Sequence, residues 1–185
     1  MILPIVAYGT NVLKKKAEVI SSDYPGLQQL IDDMYETMYE ASGVGLAAPQ
    51  IGKSIRLFVI DGSSFSDDDP SMEDFRKTFI NPTIIEEQGE KWSFNEGCLS
   101  IPDVREDVFR KQEIKIKYQN QQFEWVEEQY DGLKARIIQH EYDHIEGVLF
   151  TDYLSPLKRR MLKRKLSDIS KGNIRASYRM KFPSK

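Results

Sequence analysis

The chain has 185 residues, 40% of them hydrophobic and 30% charged, with a formal net charge of −3. That length suits a single globular domain over 1–185 that buries a core without disulfides, and the ordinary apolar content argues against a disordered or membrane-embedded protein. The single cysteine excludes an internal disulfide framework and points to a reducing, cytoplasmic setting.

The opening stretch MILPIVAYGTNVLKKK breaks a short apolar run at Pro4 and puts its basic cluster afterwards. It reads as neither a secretory signal nor a spanning helix, and no membrane partner is expected. Leu27, Leu30, Ile31, Met34, Met38 and Ala41 keep a helical apolar stripe, which predicts a helix over 25–41. SGVGLAAPQIG, which follows, is too rich in glycine to continue it. IRLFVID has the run length and composition of a strand. The acids, serines and proline of GSSFSDDDPSMED then mark a surface loop, expected to be mobile and of open role, at 61–75.

Residues 78–93 read as further strand with a turn near Gly89. Beyond EGCLSIPD, Ile114, Ile116 and Tyr118 alternate with Lys115 and Lys117, and Phe123 and Trp125 resume after a polar turn at Asn120. This predicts an antiparallel hairpin leading into the next helix. A last helix, over 156–169, is expected to bury Leu157, Met161, Leu162, Leu166 and Ile169 and to turn its basic residues outward. Strands grouped between helices without regular alternation indicate an α+β fold. Its antiparallel strands should surround a central metal-binding helix, with further helices near each end.

That central helix carries the whole histidine content of the chain, His140 and His144 in IIQHEYDHIEG. Asp131 can cap its start and Gly147 can end it. At i and i+4 the two imidazoles share one face, and with Leu133 and Ile137 they form a stripe directed at a core. His-Glu-x-x-His on a helix pairs two metal ligands with a general base, here Glu141, one position along. A solvated pair of helix histidines is the bland alternative, and the two-histidine census weighs against it.

A catalytic site of this kind takes three protein ligands. Downstream of His144 the carboxylates beyond the adjacent Glu146 are Asp152 and Asp168, and either would make a metallopeptidase-like set. Upstream stands Cys98 in EGCLS, whose thiolate is a good ligand for a first-row metal.

Three segments in order, GVGLAAPQIG (43–52), EGCLS (96–100) and QHEYDHIEG (139–147), resemble the signature motifs of the peptide deformylases. The likeness extends from the opening ILPI to LFTDYLSPLKR, and the 61–75 loop looks like an insertion relative to compact members. The resemblance implies a metal-dependent hydrolase that removes the N-formyl group from the formyl-methionine of new polypeptides. It implies that Cys98, His140 and His144 bind one divalent ion, ferrous iron in the working enzyme with zinc, nickel or cobalt able to replace it. It further implies that Glu141 is the acid/base and that Gln50 and the backbone N–H of Leu99 stabilise the oxyanion. Val44 and Gly45, with Gly97, would belong to the substrate groove, and Phe94, Leu133 and Ile137 to the methionine pocket, with Arg136 close by.

From 156 to 185 there are eleven Lys or Arg against one acid, Asp168, on a chain that is otherwise acidic. This basic helix and tail suggest an anionic partner. By resemblance to deformylases with a C-terminal helix, that partner would be the ribosome. With no large surplus apolar stripe in the sequence, a monomer is expected.

Overall fold

The computed structural model describes residues 1–183. Its main sheet has five antiparallel strands in the order β2 (Gly45–Ala47), β3 (Leu57–Asp61), β4 (Arg76–Cys98), β5 (Ile101–Gln119) and β6 (Trp125–Asp131). A second, two-stranded sheet pairs β1 (Ile5–Val6) in parallel with β7 (Met180–Lys181). The helices are α1 (Leu27–Glu40), α2 (Gly132–Ile145) and α3 (Pro156–Ser170). No helix among the described residues is long and apolar enough to cross a membrane.

α1 forms where the apolar stripe predicted a helix, and it buries Leu30, Ile31, Met34 and Met38 against β2 and β3. α2 lies on the sheet: Ala135, Ile138 and Ile145 pack with Phe58, Ile60, Phe79, Ile114 and Ile116 in a second apolar cluster. Phe58 and Phe79 stack there with centroids 4.8 Å apart. Removing either ring would cost about 3–5 kcal/mol. A third cluster joins Val6, Ala7 and Leu13 to Ile101, Leu149, Phe150, Leu166 and Ile169.

Two local expectations are corrected. The turn anticipated near Gly89 is a bulge inside β4: the register slips between Gln88 and Lys91, and Gly89 takes φ +80°. One extra residue on β4, where Gly89 and Glu90 stand against Gln112 alone, absorbs the bend without ending the pairing. The acidic 61–75 segment is largely exposed and forms two 3-10 turns, with Met72 and Phe75 buried beneath them.

On α3, Leu157 and Met161 are exposed (68% and 74%), whereas Leu166 and Ile169 are buried. At about 100° per residue, Leu162, Leu166 and Ile169 share one side and Leu157 and Met161 lie on another. The third cluster accepts the first side alone.

Candidate active site

Ala135, Ile138 and Ile145 hold α2 on the sheet, and the helical period puts Ile137, His140, Glu141 and His144 on the adjoining stripe of the helix. The Cys98 thiol meets that face from the end of β4. β4 and β5 close on each other at Cys98 and Ile101, leaving Leu99 and Ser100 as a two-residue turn. The Cys98 Sγ lies 3.4 Å from His144 Nε2, and the ligand atoms of Cys98, His140 and His144 all fall within 4.8 Å of one another.

Two buried side-chain atoms, Glu141 Oε2 and His144 Nδ1, have no partner among the described residues. Buried polar groups are ordinarily satisfied, so an unpartnered Glu141 carboxylate oxygen next to a thiol and two imidazoles fits a site built to hold something more. A soft sulfur and two ring nitrogens form a donor set for a first-row divalent ion. Asp152 is engaged elsewhere: it accepts from the Leu149 N–H at 3.0 Å and pairs with Lys14 at 2.7 Å. The downstream-carboxylate arrangement is not favoured.

His140 Nδ1 lies 2.8 Å from a Glu96 carboxylate oxygen, which leaves Nε2 for the cluster. Glu96 is itself held by two buried guanidiniums, Arg110 at 2.8 and 3.0 Å and Arg136 at 2.8 Å. Arg110 also donates to Asp143 at 2.7 Å, and Arg136 to the Trp92 and Val108 carbonyls. Burial opposes ionisation of Glu96, but His140 and Arg110 outweigh it and hold the carboxyl well below the usual range. Burial likewise opposes charging of both imidazoles. Hydrogen bonds from His140 to Cys98 and Glu96 still raise His140, while His144, beside the charges of His140 and Arg110, is driven well down.

Burial pushes the Glu141 carboxyl up to about 7, near the operating range of a general acid/base. Its place depends on Gly45: a Cβ there would stand 2.4 Å from Glu141 Oε1. Gln50 is oriented by the Ala47 N–H, which donates to its Oε1 at 2.9 Å. The amide NH2 is thereby aimed at the cluster, 3.5 Å from Cys98 Sγ and 3.4 Å from Ser100 Oγ.

A cavity of about 800 Å³ opens beside these groups. Val44, Gly45, Gln50, Phe94, Gly97, Cys98, Leu99, Ile137, His140 and Glu141 line it, and Arg136 joins them. His144 is almost wholly buried and lies outside that lining, as does Leu133, which packs with the second apolar cluster. Sequence reasoning missed Glu96, although it stands two positions before Cys98 in the same motif. The rule that a ligating histidine passes its other nitrogen to a carboxylate could have prompted a search for it. Ser64 and Phe65 of the acidic segment and Arg175–Tyr178 of the tail also line the cavity, and nothing in their local pattern announced it.

Residues 2–160 match the family model described as polypeptide deformylase. The peptide deformylase of Christiangramia forsetii is 59% identical, the match covering 100% of this chain and 97% of that protein. That of Cytophaga hutchinsonii is 56% identical with full coverage of both. Among solved structures, a peptide deformylase from Legionella pneumophila superposes with a TM-score of 0.81 at 39% identity, over 94% of this chain and 98% of that one.

Proposed function

The chain belongs to the polypeptide deformylase family, enzymes that remove the N-formyl group from nascent peptides, and on that premise we propose how its residues divide the work. Cys98, His140 and His144 would hold one divalent ion, ferrous iron in the working enzyme, with zinc, nickel or cobalt able to take its place. Such an ion supplies Lewis acidity, which makes water a stronger acid and a carbonyl carbon a better electrophile.

The observation that carries this reading is the unpartnered Glu141 Oε2 beside the three converging donors. Glu141 takes a proton from the attacking water and delivers it to the amide nitrogen as the C–N bond breaks. Formate leaves with the water oxygen, and the peptide keeps a free α-amine. As the formyl carbon becomes tetrahedral, the Gln50 amide and the Leu99 N–H donate to its negative oxygen. Losing one such donor typically costs ~10² to 10³ in rate.

The formyl-methionine substrate would lie along β2. That strand pairs with β3 and terminates the sheet, so its outer edge at Val44 and Gly45 suits an added peptide strand. Val44, Phe94 and Ile137 would receive the methionine side chain, an unbranched thioether that adapts to an apolar slot. Leu133 would support the pocket through the apolar cluster it shares with Ile137, and Gly97 would let the substrate backbone approach. The whole chain would act as one catalytic domain, a cytoplasmic monomer whose basic α3 docks it on the ribosome.

The test pairs metal content with formate release from a formyl-methionyl peptide. Cys98→Ser should lose or badly weaken the metal and the activity together. A Cys98→Ser protein that keeps stoichiometric metal would overturn the ligand assignment, and failure of the metal-replete parent to release formate would overturn the reading as a whole.

A further inference from the structure

The residues after α3 return to the site. Gly172 takes φ +75°, the conformation that lets the chain reverse, and β7 then runs alongside β1. The Ile5 N–H donates to the Arg179 carbonyl at 3.0 Å and the Ala7 N–H to the Lys181 carbonyl at 2.9 Å. Between the turn and β7, Tyr178 lines the cavity and packs against the apolar cluster that α1 shares with β2 and β3. Its hydroxyl donates to the Leu99 carbonyl at 2.6 Å. One residue further, the Ser100 carbonyl accepts from the Tyr8 N–H at 2.8 Å. Both carbonyls of the two-residue turn are therefore held from outside their own hairpin. The Leu99 N–H donates to no backbone or side-chain acceptor among the described residues.

We propose that Tyr178 is a positioning residue for the reaction, orienting the Leu99 N–H toward the developing oxyanion by holding the Leu99–Ser100 peptide. The inference rests on the reading of Leu99 given above. Peptide planes are rigid, so the direction of the Leu99 N–H follows from two soft torsions at Leu99 once its neighbours are held. With Ser100 held through Tyr8 and the Leu99 carbonyl held through Tyr178, little freedom is left. Without the phenol, the Leu99–Ser100 plane is free to rotate, and the torsions at Leu99 pass that freedom to the Cys98–Leu99 plane, whose N–H would spend part of its time off the line to an oxyanion that it must meet at about 2.7–3.1 Å. Burial raises the Tyr178 phenol well above its ordinary value, so the group stays a donor throughout the working range. The Leu99 amide belongs to the backbone and no side-chain exchange deletes it. Tyr178 is the side chain through which it can be disturbed.

The experiment compares Tyr178→Phe, Gln50→Ala and Ile20→Val with the parent. Each protein is fully metal-loaded, and kcat, KM and melting temperature are measured on a formyl-methionyl peptide. Ile20 is buried in the cluster that Tyr178 touches but lies outside the cavity lining, so its truncation reports the effect of destabilisation alone. Tyr178→Phe should lower kcat about tenfold while KM stays within twofold, the pattern of an interaction made in the transition state. Ile20→Val should leave kcat unchanged even if it melts lower than Tyr178→Phe. Unchanged kcat in Tyr178→Phe, with Gln50→Ala impaired, would overturn the inference and leave the oxyanion reading standing. Unchanged kcat in both would remove the oxyanion reading and the inference with it. A rise in KM alone, or an equal fall in kcat in Ile20→Val, would make Tyr178 a groove or fold residue and would also overturn the proposal.

Discussion

Gly45→Ala is the sharpest perturbation of the proposed chemistry, because it adds one methyl group and touches no metal ligand. The added Cβ would lie 2.4 Å from Glu141 Oε1, 2.6 Å from Cδ and 2.8 Å from Cγ. Ordinary contact begins at about 3.4 Å, so the carboxylate must retreat by about 1 Å or β2 must move away from it. Retreat is restricted, since Glu141 is 4% exposed on a helix that packs against the sheet. A misplacement of about 1 Å at a reacting group can cost ~10²-fold in rate. The expected result is a fall in kcat of that order, with the metal retained at one per chain and only a modest drop in melting temperature. Formate release, metal analysis and a thermal melt on one preparation provide the three readings. Turnover within threefold of the parent would refute the claim that the space beside Gly45 holds Glu141 in its working place. Loss of the metal would refute the claim that the perturbation is confined to the base.

Glu96→Gln should weaken metal affinity ~10- to 100-fold, since it removes the carboxylate behind His140. It should also destabilise the fold by about 3–5 kcal/mol by leaving Arg110 and Arg136 short of a counter-charge; a chelator competition and a denaturant titration measure the two, and unchanged affinity would rule out the support role. Reversing charge at Arg159, Lys163 and Arg164 should abolish salt-sensitive cosedimentation with ribosomes while activity on a short peptide persists, and undiminished cosedimentation would exclude α3 as the docking element. Burial tends to raise the Glu128 carboxyl, but hydrogen bonds from Tyr130, Lys77 and Tyr118 lower it overall. Its stabilisation should therefore be complete above the ordinary glutamate value of about 4.3 and be lost as pH falls through the lower folded value. The melting-temperature gap between parent and Glu128→Gln should accordingly close in acid, and a gap constant with pH would remove Glu128 from the acid transition.

Periodicity made several parts of this protein legible in its sequence. The stripe from Leu27 to Met38 marked α1, the alternation of Ile114, Ile116 and Tyr118 marked the last hairpin, and the spacing of His140, Glu141 and His144 put three site residues on one face of a helix. All of these are short-range properties, fixed by 3.6 residues per helical turn or two per strand repeat. Cys98 came from elimination and resemblance, because no local rule joins it to a helix some forty positions later. Tertiary structure decided which side of α3 is buried: Leu157 and Met161 are as apolar as Leu166, but the cluster around Phe150 meets the other side. It also decided that Gly89 bulges instead of turning, since β5 continues to pair on both sides of it. The chain of Asp143, Arg110, Glu96 and His140 exists because α2 crosses β4 and β5 at one height. Tyr178 reaches Leu99, 79 positions away, through a two-residue parallel pairing with no pattern of its own. Local propensity sets the faces of each element, but which face meets which neighbour depends on how the elements pack, and those contacts join residues that no short window of sequence contains together.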